Sequence, residues 1–215
     1  MSEVTDKIHR TLSQYPKRQY PKGQILVFAD ESPRYIYYIT KGKIIQYDVS
    51  YRGDEIIVNV YKPPAFFPMS WAINETHNSY FYKTEGMTEV HVVPANKALE
   101  FLKNNPDVMY DLISRLYKGI DGLLARMVQL MSGTAKSRLL YEIAIEARRF
   151  GEQQSDGSYR ININESELAA RAGLSRETVN WELSKVKKAN LVKIDKNVIT
   201  LPDLQAIELT IGQTE

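Results

Sequence analysis

Residues 165–190, ESELAARAGLSRETVNWELSKVKKAN, constrain this chain most, because they read as two short helices joined by a glycine turn. Ser166 is placed to cap the first, whose Leu168, Ala169 and Ala172 share one helical face, and Gly173 stands where a helix ends with φ > 0. After one linking residue, Leu174, Ser175 caps a second helix whose Val179, Leu183 and Val186 recur at steps of four and three. The spacing predicts a helix-turn-helix.

With that apolar face turned inward, the second helix turns Arg176, Glu177, Asn180, Trp181, Ser184, Lys185 and Lys188 outward. Such a face suits a major groove: arginine fits the two acceptors of guanine, glutamate accepts from cytosine N4, and hydroxyls and ammoniums hold phosphates. The same pattern also describes an amphipathic helical hairpin whose outer face is merely solvated. Taken alone, it leaves both readings open.

Composition narrows the alternatives. The chain of 215 residues has room for one large or two small domains, and a net charge of +2 is too small for a surface generally coated by nucleic acid. Any electrostatic footprint must be local, and Lys185, Lys187, Lys188, Lys193 and Lys196 do cluster at and beyond the end of the second helix. The absence of cysteine excludes disulfides, iron–sulfur clusters, thiolate zinc sites and thiol redox sensing. His9, His77 and His91 are scattered without ligand spacing, so no metal site, haem or other cofactor is expected. There is neither an apolar signal core nor an apolar run long enough to span a bilayer, which predicts a cytoplasmic protein with no membrane partner.

In chain order, Val4, Ile8 and Leu12 predict a short leading helix before Tyr15-Pro16. From Gly23 to Pro94 the runs QILVFA, YIYYI, KIIQYDV, EIIVNVY, SYFYKTE and TEVHVVP read as strands, punctuated by Lys41-Gly42 and Arg52-Gly53-Asp54. Many short strands at this spacing predict an antiparallel sandwich or roll. Residues 96–105 read as a short helix, and Asp107 opens a long one in which Ile113, Leu116, Ile120, Leu123, Met127 and Leu130 follow alternating steps of three and four. That is an a/d seam, along which two copies of the chain would zip, or which would pack on the strand domain. Ser132-Gly133-Thr134 breaks it, and Lys136–Phe150 is a further amphipathic helix. Tyr159–Ile163 alternates like a strand, LVKIDKNVITL reads as a hairpin, and 203–209 as a closing helix. The expected fold is α+β, with an N-terminal antiparallel β-roll over 1–105, a dimerisation helix over 106–132 and a winged helix-turn-helix over 133–215.

Across nearly its whole length the chain resembles the family of bacterial transcription regulators named after the cyclic-AMP receptor protein and FNR. The most specific part is LAARAGLSRETVNWELSKV, similar to the family's Leu-Ala pair, Gly-Leu-Ser turn and Arg-Glu-Thr-Val. The resemblance implies a homodimer on an inverted-repeat operator in double-stranded DNA, with RNA polymerase as a further partner. It also implies that Arg176 and Glu177 read base edges while Ser175 and Thr178 hold phosphate. The family's usual arginine four residues after the glutamate is Trp181 here, which cannot make a bidentate contact to guanine but can pack on a thymine methyl.

The effector region departs further. Members that bind cyclic AMP carry a Phe-Gly-Glu run and, ten residues past its glycine, an Arg-Ser pair; an ungapped count gives Phe67-Pro68-Met69 and Asn78-Ser79 here. Leu123 and Leu124 fall where those members have a polar Thr-Ser pair. A buried phosphate without the cation would forgo charge-assisted bonds of roughly 1.5 to 3 kcal/mol each. Control by cyclic AMP is therefore not expected, and the regulator is either effector-independent or switched by a non-nucleotide ligand. A pocket for such a ligand would involve Phe67, Pro68, Met69, Ser70, Asn78, Ser79, Tyr80, Leu123 and Leu124; alternatively, Phe66, Phe67, Trp71, Tyr80 and Tyr82 close the roll as core.

No phosphate loop, GxGxxG, HExxH or nucleophile-elbow pattern occurs, and no catalytic residue is assigned. The remaining alternative is a small-molecule-binding module whose helical C-terminal part contacts a protein partner. Such a helix would gain nothing from the Ser-Arg-Glu-Thr order, which matches phosphates and base edges position by position. In thermal-shift measurements neither cyclic AMP nor cyclic GMP should stabilise the protein; clear stabilisation by either would reverse the reading of the effector region.

Overall fold

A computed structural model describes residues 3–51 and 53–212. The chain divides into two compact units, Met1–Lys118 and Gly119–Glu215.

The first unit opens with α1 (Glu3–Leu12) and continues through β1 (Lys17–Tyr20), β2 (Ile25–Val27), β3 (Tyr35–Lys41), β4 (Ile44–Val49), β5 (Glu55–Tyr61) and β6 (Ala65–Phe67). Then come α2 (Met69–Asn74), β7 (Phe81–Thr84), β8 (Thr88–Pro94) and α3 (Ala95–Lys103). The strands form two antiparallel four-stranded sheets, ordered β1-β8-β3-β6 and β2-β7-β4-β5. Their alternation puts Ile36, Tyr38 and Val93 into one cluster with Ile8 and Leu12 of α1, and Ile39, Ile44, Phe67, Tyr82 and Val90 into another.

Four features differ from expectation. β1, KRQY, lacks β-branched residues and is held by its ladder to β8, from Lys17↔His91 to Tyr20↔Thr88. β6 is three residues long between prolines, which an edge position tolerates, and α2 is too short to show a helical period. The strands read as QILVFA and SYFYKTE shorten to Ile25–Val27 and Phe81–Thr84. In the turn between β4 and β5, Gly53 takes φ +86° and its N–H donates to Ser50 O at 2.9 Å; Arg52 lies outside the described residues.

α4 (Pro106–Ser132) crosses from one unit to the next, and Val108 is its one buried residue. The seam residues Ile113, Leu116, Ile120, Leu123, Met127 and Leu130 are 38–59% exposed. α4 ends where the sequence breaks: a Cβ at Gly133 would sit 2.4 Å from Gln129 O, and Thr134 Oγ1 accepts from Ser137 N–H at 3.2 Å to cap α5 (Ala135–Phe150).

The second unit continues through β9 (Glu152–Gln153), β10 (Tyr159–Asn162), α6 (Glu165–Ala172), α7 (Arg176–Lys188), β11 (Lys193–Asp195), β12 (Val198–Leu201) and α8 (Leu204–Gly212). Leu139, Leu140, Ile143 and Ala147 of α5 pack with Leu168, Val179, Leu183, Val186, Ile199 and Ile207 in one core. β11 and β12 form the expected hairpin, with Ile194 opposite Ile199 and Lys196 turning at φ +52°. β10 and the unanticipated β9 complete an antiparallel sheet ordered β11-β12-β10-β9. No helix among the described residues is long and apolar enough to cross a membrane.

Candidate nucleic-acid interface

α6 is capped by Asn164, not Ser166: Asn164 Oδ1 accepts from Glu167 N–H at 2.9 Å. Asn164 and Glu167 stand in the spacing of a capping box, and Ser166 is left exposed within the first turn. At the other end Gly173 adopts φ 61°, ψ 43° and donates to Ala169 O, while the Leu174 N–H reaches the same carbonyl at 3.1 Å. That left-handed backbone is why the turn requires glycine.

α7 begins at Ser175, whose Oγ accepts from Thr178 N–H at 3.1 Å and lies 3.0 Å from Thr178 Oγ1. Val179, Leu183 and Val186 are 0–4% exposed, which fixes the rotation of the helix about its axis. Ser175, Arg176, Glu177, Asn180, Trp181, Ser184, Lys185 and Lys188 consequently all face solvent, with Thr178 half-buried at the edge. Glu177 is held below the usual carboxylate range by its own backbone N–H and then by the Ser175 hydroxyl, so it is an anionic acceptor at neutral pH. Ser184 donates its proton to Asn180 O at 3.0 Å and so offers an incoming group only an acceptor oxygen. The Lys185 ammonium sits 3.1 Å from the centroid of the Trp181 ring and 3.1 Å from Oε1 of Glu182.

A groove of about 470 Å³ adjoins the start of α7. Arg176 shares its lining with Asn164, Glu165 and Ser166 of α6 and with Lys196 and Asn197 of the hairpin turn. Arg176 and Lys196 bring positive charge to this concavity beside the N-terminal end of α6, with the Glu165 carboxylate opposing them.

Buried charges hold this surface from behind, and sequence reading passed over them. Arg171 of α6, 4% exposed, pairs with Glu146 of α5 and with Glu167. Arg126 clamps Glu142 through two bonds of 2.7 and 2.9 Å. Burial pushes the Glu142 carboxyl upward, against the pull of the Arg126 guanidinium. The available signal was Glu142 and Glu146 one turn apart, interleaved with the apolar Leu139, Ile143 and Ala147.

In the N-terminal unit, Phe67 and Tyr82 are 0% and 1% exposed and stacked 5.1 Å apart, with Tyr37 stacked on Phe67 at 5.4 Å. Burial pushes the Tyr82 phenol well above its usual value. Pro68 is buried, Met69 and Tyr80 are half-buried, and Ser70 and Ser79 are exposed. Asn78 is buried and spends its amide on the chain itself, donating to Phe28 O at 2.8 Å and Tyr80 O at 2.6 Å. Leu123 and Leu124 belong to the other unit, about half exposed on α4. Among the described residues no group of three or more His, Asp or Glu side chains is placed to hold a metal ion.

Comparison with known proteins matches residues 17–105 to the cyclic nucleotide-binding domain and residues 137–209 to the Crp-like helix-turn-helix domain. The chain is 22% identical over 175 residues to the cAMP-activated global transcriptional regulator CRP of Haemophilus influenzae, covering 81% of this chain and 78% of that protein. It is 23% identical over 199 residues to the fumarate and nitrate reduction regulatory protein of Escherichia coli, covering 92% and 79%. The fold is shared with a solved CRP/FNR-family transcriptional regulator of Thermus thermophilus, at a TM-score of 0.75 and 17% identity over 93% of this chain and 100% of that one.

Replacing Arg171 by Met would remove the guanidinium that pairs with Glu146 and Glu167, and breaking that buried pair should cost ~3 to 5 kcal/mol. Hydrogen exchange of the α5 and α6 amides should accelerate accordingly. Unchanged protection would show that the buried pair contributes nothing to holding α6 in place.

Proposed function

We propose, from the premise that this chain belongs to the CRP/FNR family of transcription regulators and carries its helix-turn-helix DNA-binding domain, that it acts as a homodimer on an inverted-repeat operator. The observation that carries the reading is the outer face of α7. Its inner residues are fully committed to the core, while Arg176 and Glu177 stand exposed at the first turn with an acceptor and a donor set matched to a G·C pair. Arg176 and Glu177 read base edges; Ser175, Thr178, Ser184 and Asn180 flank them; Lys188 and the hairpin Lys196 neutralise phosphates.

Dimerisation is supported by α4, whose six seam residues are all at least 38% exposed although they repeat at coiled-coil spacing. Pairing two copies along it would present two α7 helices about 34 Å apart, one turn of DNA. The protein works in the cytoplasm, with RNA polymerase as a further partner.

The relative from Haemophilus influenzae is named as cAMP-activated; this chain is not switched that way. Asn78, at the position of the family's phosphate-binding arginine, is engaged with its own backbone, and Phe67 and Tyr82 fill the space between the sheets. Regulation is either by abundance or by a non-nucleotide ligand acting on the break at Ser132–Thr134.

Arg176→Ala should cost ~1 to 3 kcal/mol per half-site and relax preference at one base pair of each half-site. Lys188→Ala should weaken all sequences alike and, with one Lys188 in each protomer, lower the salt slope of dimer binding by about 1.8, about 0.9 for each phosphate contact. Titration of labelled duplexes at several salt concentrations measures both. An Arg176→Ala effect equal on every sequence would remove that side chain from base reading.

A further inference from the structure

Lys185 is engaged by groups of its own helix. Its ammonium rests 3.1 Å from the Trp181 ring centroid and 3.1 Å from Glu182 Oε1. Glu182 is 4% exposed, and its second oxygen, Oε2, is buried without a hydrogen-bond partner. A carboxylate so placed depends on the Lys185 ammonium, its one ion-pair partner among the described residues, because a buried charge stripped of its partner is strongly unfavourable. Trp181, by contrast, is 62% exposed on the face that α7 turns outward. Within a single helical turn, therefore, Glu182 anchors the ammonium and the ammonium covers one face of the indole.

We propose that Lys185 is a positioning residue rather than a phosphate contact: together with Glu182 it fixes the Trp181 ring so that the ring's open side reads a thymine methyl. The proposal rests on the regulator reading of α7 and refines it. A lysine whose charge is compensated by Glu182 releases few condensed counterions when DNA binds. The indole has no pair of donors for guanine, whereas its apolar surface gains by covering the C5 methyl of thymine. An indole held in place beforehand also loses less rotamer freedom on binding than a free one. The base pair facing Trp181 is accordingly A·T, and the discriminating group is the methyl.

The test uses the full chain on its selected operator, with each thymine of a half-site replaced in turn by deoxyuridine. One replacement should weaken wild-type binding about fourfold, the worth of one buried methyl, and that penalty should shrink to less than roughly twofold in Lys185→Ala. The salt slope should stay at the wild-type value in Lys185→Ala. In the free protein, acrylamide quenching of Trp181, isolated by Trp71→Phe or by subtracting Trp181→Phe, should rise when Lys185 is replaced by alanine. A salt slope lowered by about 1.8 in Lys185→Ala, about 0.9 for each protomer, a uracil scan with no sensitive position, or quenching that does not move would each overturn the proposal. Failure of the wild type to bind any duplex would instead sink the regulator reading, and quenching alone would then decide whether the clamp exists.

Discussion

Burial of one stripe of α7 governs the second unit. Val179, Leu183 and Val186 join Leu139, Leu140 and Ile143 of α5 in a core with almost no exposure. At about 25 cal/mol per Å² of apolar surface, no rotation of α7 that exposed this stripe would survive. Once the stripe is fixed, the helical period dictates the rest: Arg176, Asn180, Trp181 and Ser184 must point outward, and the glycine turn at Gly173 sets where the helix starts. The helix-turn-helix motif is in this sense a statement about packing, and the proposed base reading uses what packing leaves over.

The buried charges behind α7 serve the same end by different means. Hydrophobic contact tolerates sliding, whereas the Arg171 guanidinium of α6 meets Glu146 of α5 in only one register. Arg126 with Glu142 does the same for the last turns of α4 against α5. A surface that must match base edges within a fraction of an ångström benefits from such directional fixing, which apolar burial alone does not supply.

Much of this was legible in the sequence. Steps of three and four, a Gly-Leu-Ser turn and a lysine-flanked hairpin identified the helix-turn-helix, and β-branched runs identified most of the roll. Cap choice was not, because Asn164 and Ser166 both precede helix-forming residues and only the backbone decides between them. β1 and β6 were hidden because their pairing comes from strands far along the chain rather than from their own residues. The ion pairs were hidden for the same reason, since Glu146 and Arg171 are separated by 25 positions. Glu182 reads as one more charge on a polar helix until its burial is known.

In the proposed homodimer α4 is what brings two α7 helices together, so that a paired reader recognises a paired site. Selecting bound duplexes from a random pool with the purified full-length protein tests this most directly. The enriched sequences should be inverted repeats whose half-site centres lie about one helical turn apart. Enrichment of a single asymmetric half-site, of direct repeats, or of nothing at all would contradict the account.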